Sequence, residues 1–393
     1  MKAVVFHDIG DIRLDSVADP GIQEPMDAIV RITASAICGT DLHMIRGTMA
    51  GMKPGTILGH EGVGIVEEVG PGVRNLKPGD RVVIPSTISC GYCSYCRAGY
   101  TAQCDTANPH GNLAGTAFFG GPEMTGPFDG LQAEYARIPF APHNLIKLPQ
   151  DISDEQAILL SDIFPTGYFG ADMAEITPGD TVAVFGCGPV GQFAITSAWM
   201  KGAHRVFAVD CLPDRLGMAR AQGAECIDFA RENPIEVIRD LTGGIGVDRV
   251  IDAVGVDAVA PGEGNPAEVE QVAPKTKPQG DNWHPGNAPG QAISWCVDAV
   301  CKAGTLSVIG VYPQTVQSFP LGMAMMKNLT LKMGNCNHRT YIPLLIDAVR
   351  SGECDPLMVL TKVEAMNDVI EAYKAFDTRQ PGWMKVELLP KAA

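Results

Sequence analysis

Basic charge is scarce in this chain: its 393 residues carry 30 Lys and Arg against 45 Asp and Glu, a net charge of −15. A field of that sign repels phosphate backbones and anionic lipid headgroups, which removes nucleic acid and membrane surfaces from the expected partners. An uninterrupted apolar run is missing as well. One uncharged stretch about as long as a membrane span, Thr181 to Met200, is broken by Gly186, Gly188, Pro189 and Gly191. The opening MKAVVFHDIGDIRL lacks an apolar core region and turns acidic early, so no signal peptide is expected and the cytoplasm is the expected compartment. Repeats of the solenoid kind are absent.

What is present fits a globular chain of two or three domains at roughly 150 residues each, with 46% hydrophobic and 19% charged residues. The first ~160 residues carry short β-like runs (Ala28–Ala34, Gly64–Val69, Arg81–Ile84) separated by turn signals such as Lys77-Pro78-Gly79-Asp80. From about Asp151 the pattern changes. Strand-like Thr181–Phe185, Arg205–Asp210, Cys226–Phe229 and Asp248–Val254 alternate with helical segments, which indicates βαβ units and a parallel sheet covered on both faces. Val256 to Gln291, dense in Pro and Gly and without period, interrupts the alternation. A loop of that length is a surface excursion, an oligomer contact or a substrate lid. Ala292–Lys302 reads as helix and Thr305–Val311 as strand, and the remainder from Lys327 is expected to pack back on the first domain.

Gly186-Cys187-Gly188-Pro189-Val190-Gly191 follows the strand TVAVF and opens a helix. In that context the first glycine permits the tight turn, the second lets backbone approach a pyrophosphate, and the third allows close helix–strand packing. The helix N-terminus adds unpaired N–H groups and partial positive charge. Asp210 ends the next strand, 19 residues beyond Gly191, where a carboxylate hydrogen-bonds ribose hydroxyls and disfavours a 2′-phosphate, so NAD is expected over NADP. Arg215 either reaches the second ribose hydroxyl or is a solvated helix charge. Cys90, Cys93, Cys96 and Cys104 fall within fifteen residues. Four thiolates at such spacings form a closed, structural zinc site in a lobe over 88–106.

Gly59-His60-Glu61-x2-Gly64-x5-Gly70-x2-Val73 is similar to the signature of the zinc-dependent medium-chain alcohol dehydrogenases, and Cys38-Gly39-Thr40-Asp41-Leu42-His43, the cysteine loop and the glycine fingerprint follow in that family's order. The resemblance covers essentially the whole chain. It implies an α/β protein with a GroES-like β-rich catalytic domain (1–162), a Rossmann doubly wound coenzyme domain (163–326, with the insertion 256–291), and a return to the catalytic domain over 327–393. Cys38 and His60 resemble two catalytic zinc ligands, and Asp162 stands where the family has the third. Thr166 would lie against the nicotinamide, and Glu61 resembles the family's near-zinc glutamate. Asp41 matches the carboxylate that orients the ligand histidine. Thr40, the ribose hydroxyl and then His43 would relay the proton to solvent.

The Asp ligand and the long insertion make the chain resemble the glutathione-independent formaldehyde dehydrogenase-like branch. Gly39 departs from the family, which often has a pyrophosphate-binding Arg or His there. Arg339 and Lys385 are substitutes for that cation or ordinary surface charges. The cofactors implied are two zinc ions per chain and NAD, and the reaction is hydride transfer between NAD and an alcohol, or an aldehyde hydrate such as that of formaldehyde. Aldehyde dismutation with tightly held NAD is the alternative, and a non-catalytic cofactor-binding protein is the alternative of another class. The resemblance also implies a homotetramer, with a homodimer as the alternative. The remaining histidines, His338 among them, show no partner spacing.

Overall fold

A computed structural model of the chain describes residues 1–110, 115–274, 278–279, 283–317 and 319–390. The chain forms two compact units: Met1–Pro165 with Pro274–His284 and Cys336–Ala393, and Thr166–Ala273 with Pro285–Asn335.

The first unit opens with the antiparallel pair Lys2–Asp8 and Asp11–Ser16 and is built on a seven-stranded sheet. The hub of that sheet is the strand Ala28–Ile37, rich in β-branched residues and buried along most of its length. On one edge it pairs with Gly62–Val69; on the other it takes Tyr135–Ile138 near its start and Val386–Leu389 at its end. The last of these pairings sets Val386 opposite Ile37, which brings the C-terminal strand beside Cys38. Gly64 has no alternative in this sheet, because a Cβ there would collide with the carbonyl of Arg31.

The second unit carries a six-stranded parallel sheet in the order Glu225–Asp228, Arg205–Asp210, Thr181–Phe185, Val247–Asp252, Val300–Val308, Thr330–Met333. Numbered along the chain that is 3-2-1-4-5-6, the doubly wound order, with the switch point beside Thr181–Phe185. Phe185 and Phe207 pack into the core on one face, and Val182, Val184 and Ala208 into the core on the other. Burial on both faces is why these strands read as continuous apolar runs.

Two sequence expectations about organisation are corrected. Residues 327–335 belong to the second unit, since Thr330–Met333 closes its sheet by parallel pairing with Val300–Val308. That edge strand has four largely exposed residues and so lacks the apolar run that marks its neighbours. The insertion 256–291 is not structureless. Pro266–Val272 is a helix capped by Asn265, whose side chain accepts from the Glu268 amide, and Pro274–His284 belongs to the first unit, where Trp283 Nε1 donates to the Gly10 carbonyl at 2.8 Å. Lys275, Thr276 and Lys277, singled out in that segment, lie outside the described residues.

Candidate functional site: a four-thiol lobe, a buried S/N/O cluster and a glycine-rich turn

Cys90, Cys93, Cys96 and Cys104 converge so that their sulfurs all lie within 4.8 Å of one another. The short helix Ser94–Arg97 begins at Cys93, whose sulfur accepts the Cys96 amide. Backbone N–H groups also point at Cys90 Sγ from Tyr92 and Cys93 (3.4 and 3.3 Å) and at Cys104 Sγ from Cys90 and Ala107 (3.2 and 3.3 Å). Such donors favour thiolate. Burial pushes the Cys93 thiol up, but the Cys96 amide and the neighbouring donors outweigh it and bring it down to about 7. The Cys90–Cys96 and Cys93–Cys104 sulfurs stand 4.0 and 3.9 Å apart. Disulfides require about 2.05 Å, whereas a tetrahedron with Zn–S arms of about 2.3 Å has edges of about 3.8 Å. The residues fit a closed zinc site.

A second cluster assembles from three distant segments of the first unit. Cys38 ends the hub strand and precedes the helix Gly39–Ile45. His60 and Glu61 enter the strand Gly62–Val69 from Gly59, which sits at φ +91°. Asp162 occupies the break between the helices Asp154–Ser161 and Ile163–Met173, with φ −144° and ψ −66°. Cys38 Sγ lies 3.7 Å and His60 Nε2 3.4 Å from Asp162 Oδ2. With Glu61, the four residues offer ligand atoms within 4.8 Å of one another, and all four are buried. His60 Nε2 is buried and lacks a hydrogen bond, which in a dry interior is costly unless a cation takes the lone pair. Sulfur, imidazole and carboxylate together suit zinc. Burial pushes the Cys38 thiol up against the pull of His60, and it pushes Asp162 up too, but His338 and His60 hold that carboxyl well below the usual range.

Around this cluster Asp41 acts twice. Its Oδ2 accepts the Cys38 amide at 2.9 Å and its Oδ1 faces His60 Nδ1 at 3.1 Å. A carboxylate on the far ring nitrogen fixes the imidazole's orientation. Lys385 is not a surface charge: it is fully buried, with Nζ 2.5 Å from Glu61 Oε1 and 3.0 Å from the Ile37 carbonyl. Burial raises the Glu61 carboxyl to about 7 against the attraction of Lys385. Arg339 is half-buried and its Nε lacks a hydrogen bond. Thr40 is partly exposed, whereas His43 is only 4% exposed, because the helix Gly39–Ile45 is buried from Asp41 onward.

Sequence reasoning missed one contact of this cluster. His338 Nε2 lies 2.7 Å from Asp162 Oδ1, across 176 residues of chain. No local spacing announces it.

In the second unit Gly186 follows Thr181–Phe185 at φ +89°, Gly188 caps the helix Pro189–Met200, and a Cβ on Gly191 would collide with the Gly186 carbonyl. Pro189 and Val190 form the first turn of that helix. Asp210 Oδ2 accepts the Cys187 amide at 2.8 Å, and its Oδ1 accepts those of Cys211 and Leu212 at 2.7 and 3.0 Å. Buried Gln192 donates to the carbonyls of Cys187 and Arg215. Arg215 Nη1 stands 4.0 Å from Asp210 Oδ2 and beside the open side of Gly188. Thr166 lies half-buried on the helix Ile163–Met173.

A doubly wound nucleotide fold joined to a β-rich unit with two zinc-type donor sets defines the class of zinc-binding dehydrogenases. Residues 24–150 match the model of the alcohol dehydrogenase GroES-like domain, and residues 189–261 match that of the zinc-binding dehydrogenases. The uncharacterized zinc-type alcohol dehydrogenase-like protein AdhB of Bacillus subtilis is 39% identical over 99% of this chain and 100% of its own length. A glutathione-independent formaldehyde dehydrogenase of Pseudomonas aeruginosa is 34% identical, covering 97% of this chain and 96% of its own. Among solved structures, the alcohol dehydrogenase TADH from Thermus sp. ATN1 matches with a TM-score of 0.82 at 34% identity over 99% of both chains. The chain belongs to the zinc-type alcohol dehydrogenase family, with a GroES-like unit and a Rossmann-like parallel sheet, and is an oxidoreductase.

Proposed function

We propose that this protein transfers hydride between NAD and a small alcohol or aldehyde hydrate, with formaldehyde hydrate as the first substrate to test, and that it holds two zinc ions per chain. The observation that carries this reading is the buried Cys38–His60–Asp162 set with His60 Nε2 lacking a hydrogen bond. These three residues hold the catalytic ion, and Cys90, Cys93, Cys96 and Cys104 hold the structural one. A zinc ion with three protein ligands supplies Lewis acidity that brings the pKa of an oxygen ligand close to neutrality.

The chain's own residues do the rest. Asp41 keeps His60 aligned, and Glu61, paired with Lys385, supplies a nearby carboxylate whose charge is partly balanced. Thr40 accepts the substrate's hydroxyl proton as it releases its own, which passes by the cofactor ribose hydroxyl to His43 and on to solvent. Gly186, Gly188, Pro189, Val190 and Gly191 admit the pyrophosphate to the helix N-terminus. Asp210 and Arg215 take the adenine ribose, and the Asp210 carboxylate repels a 2′-phosphate. Thr166 packs beside the nicotinamide. The formaldehyde proposal draws on the Pseudomonas aeruginosa relative named above.

The protein is proposed to act in the cytoplasm as a homotetramer or homodimer. In support of self-association, the second unit ends in an exposed edge strand, Thr330–Met333, beside a helix whose Leu321, Met325 and Met326 are 68%, 76% and 80% exposed. Among the described residues no helix is long and apolar enough to cross a membrane.

The test measures zinc content and NADH formation across formaldehyde, primary, aryl and secondary alcohols, with NAD and NADP run separately. Two zinc ions and NAD-dependent oxidation are expected in the wild type, and His60→Ala and Asp162→Ala should each retain one ion and lose turnover. Full activity in either variant overturns the assignment of the site. Aldehyde consumption without added NAD replaces dehydrogenation by dismutation.

A further inference from the structure

Asp162 uses its two oxygens in different directions. Oδ2 faces Cys38 Sγ and His60 Nε2 at 3.7 and 3.4 Å, while Oδ1 lies 2.7 Å from His338 Nε2. His338 begins the helix His338–Ser351, is 3% exposed, and presents its other ring nitrogen to the Thr87 hydroxyl at 3.1 Å. An ionised carboxylate only accepts, so Nε2–H is the donor to Asp162, and the Thr87 hydroxyl completes the ring's second hydrogen bond. The preceding residue is anchored as well: Asn337 Oδ1 accepts the Ala102 amide at 2.9 Å, two residues before Cys104. The imidazole is therefore held at both ring nitrogens, by Asp162 and Thr87, and the residue before it is tied to Ala102 beside the four-cysteine lobe.

The chemistry explains why such a seat is needed. A thiolate offers a metal one donor atom and one mode of binding. A carboxylate offers two oxygens, and an unrestrained one swings between one-atom and two-atom binding, which changes the ligand count. We propose that His338 is a positioning residue that occupies Asp162 Oδ1 and leaves Oδ2 alone to face the cation site, so that the protein supplies three donor atoms there and the fourth position stays open. This rests on the reading of Cys38, His60 and Asp162 as metal ligands. Outer partners of ligand side chains commonly govern metal affinity by 10- to 100-fold, so roughly that range is expected here.

The experiment follows metal release to a metallochromic chelator from the full-length protein, together with the visible spectrum after cobalt substitution. Wild type is expected to release two ions in separate phases. His338→Ala should accelerate one phase roughly 10- to 100-fold, leave the other unchanged, and shift the cobalt ligand-field bands. His338→Gln, whose amide nitrogen reaches the same carboxylate oxygen, should restore most of the wild-type rate and spectrum; a merely structural role for the ring would show no such rescue. Should His338→Ala fail to fold, Thr87→Val, which removes only the outer hydrogen bond, should still accelerate the same phase. Unchanged release and spectrum in His338→Ala, or in Thr87→Val when it stands in, overturn the proposal while leaving the ligand assignment intact. A wild type that retains a single ion overturns the ligand assignment and this proposal with it.

Discussion

Lys385 and Glu61, 324 residues apart in the chain, form an ion pair of 2.5 Å with both side chains withdrawn from solvent. The pairing of Val386 with Ile37 delivers the lysine to this position, and the Ile37 carbonyl takes a second hydrogen bond from it. Removing one partner of such a pair strands the other as an uncompensated buried charge, at a cost of about 3–5 kcal/mol. Lys385→Met should therefore destabilise the protein by about that amount, read as a lower urea midpoint with unchanged slope. The double variant Lys385→Met/Glu61→Leu should recover most of the loss, because no buried charge is left. A single variant with wild-type stability would show that the pair contributes nothing net.

Glu387, two positions further on, gives a pH dependence with a defined sign. It is 1% exposed, its Oε2 lacks a hydrogen bond, and burial beside Glu155 and Asp154 raises its carboxyl from 4.5 to about 7. A raised pKa means the folded state holds the proton more tightly than the unfolded state. Its contribution is thus intact below about pH 4.5 and is lost as pH rises through about 7. A shift of that size corresponds to about 3 kcal/mol at most. Glu387→Gln should be neutral at pH 4.5 and stabilising at pH 8, measured by urea unfolding at both values. Equal effects at the two pH values would exclude the titration.

Asp210 braces the fingerprint turn, and in the proposed function it also takes the ribose. Its two oxygens accept three backbone amides, from Cys187, Cys211 and Leu212. Asp210→Asn keeps a carbonyl acceptor but loses the charge proposed to oppose a 2′-phosphate. The expected outcome is a KM for NAD raised about tenfold, equivalent to ~1.4 kcal/mol, with a smaller change for NADP. Steady-state kinetics with both cofactors decide it. A preference for NAD unaltered by the substitution would place discrimination elsewhere.

The four-cysteine lobe should stabilise without taking part in turnover chemistry. Cys104→Ser removes a sulfur that accepts the amides of Cys90 and Ala107. Loss of one zinc ion and a lower melting temperature are expected, with residual activity at low temperature near that of the wild type. Zinc analysis and thermal unfolding followed by near-ultraviolet circular dichroism provide the check. Turnover abolished at low temperature in the folded variant would show that the lobe reaches into catalysis.

Much of this molecule was readable in one dimension because its chemistry is local. The thiols of the lobe lie within fifteen residues, so a single loop closes them on one point. The glycine fingerprint joins one strand to the next helix, and each of its glycines answers a steric demand set within a few residues, as the collision of a Gly191 Cβ with the Gly186 carbonyl shows. The buried parallel strands announce themselves as apolar runs because both faces are covered. The edge strand Thr330–Met333 escaped for the opposite reason: it is largely exposed, and only its pairing with Val300–Val308 makes it a strand.

The amino-acid sequence by itself determined the class of sheet in the second unit, the glycine-rich turn and the four-thiol set, since short-range sterics and spacing suffice for each. For Cys38, His60 and Asp162 it supplied residue types and a family likeness. Tertiary structure alone decided that His338 takes one oxygen of Asp162 and Thr87 the other side of that ring, and that Lys385 neutralises Glu61 rather than facing solvent. Those contacts span 176, 251 and 324 residues. They exist because sheet pairing and helix packing bring remote segments to one dry place, where a charge or a lone pair must find a partner and distance along the chain carries no information.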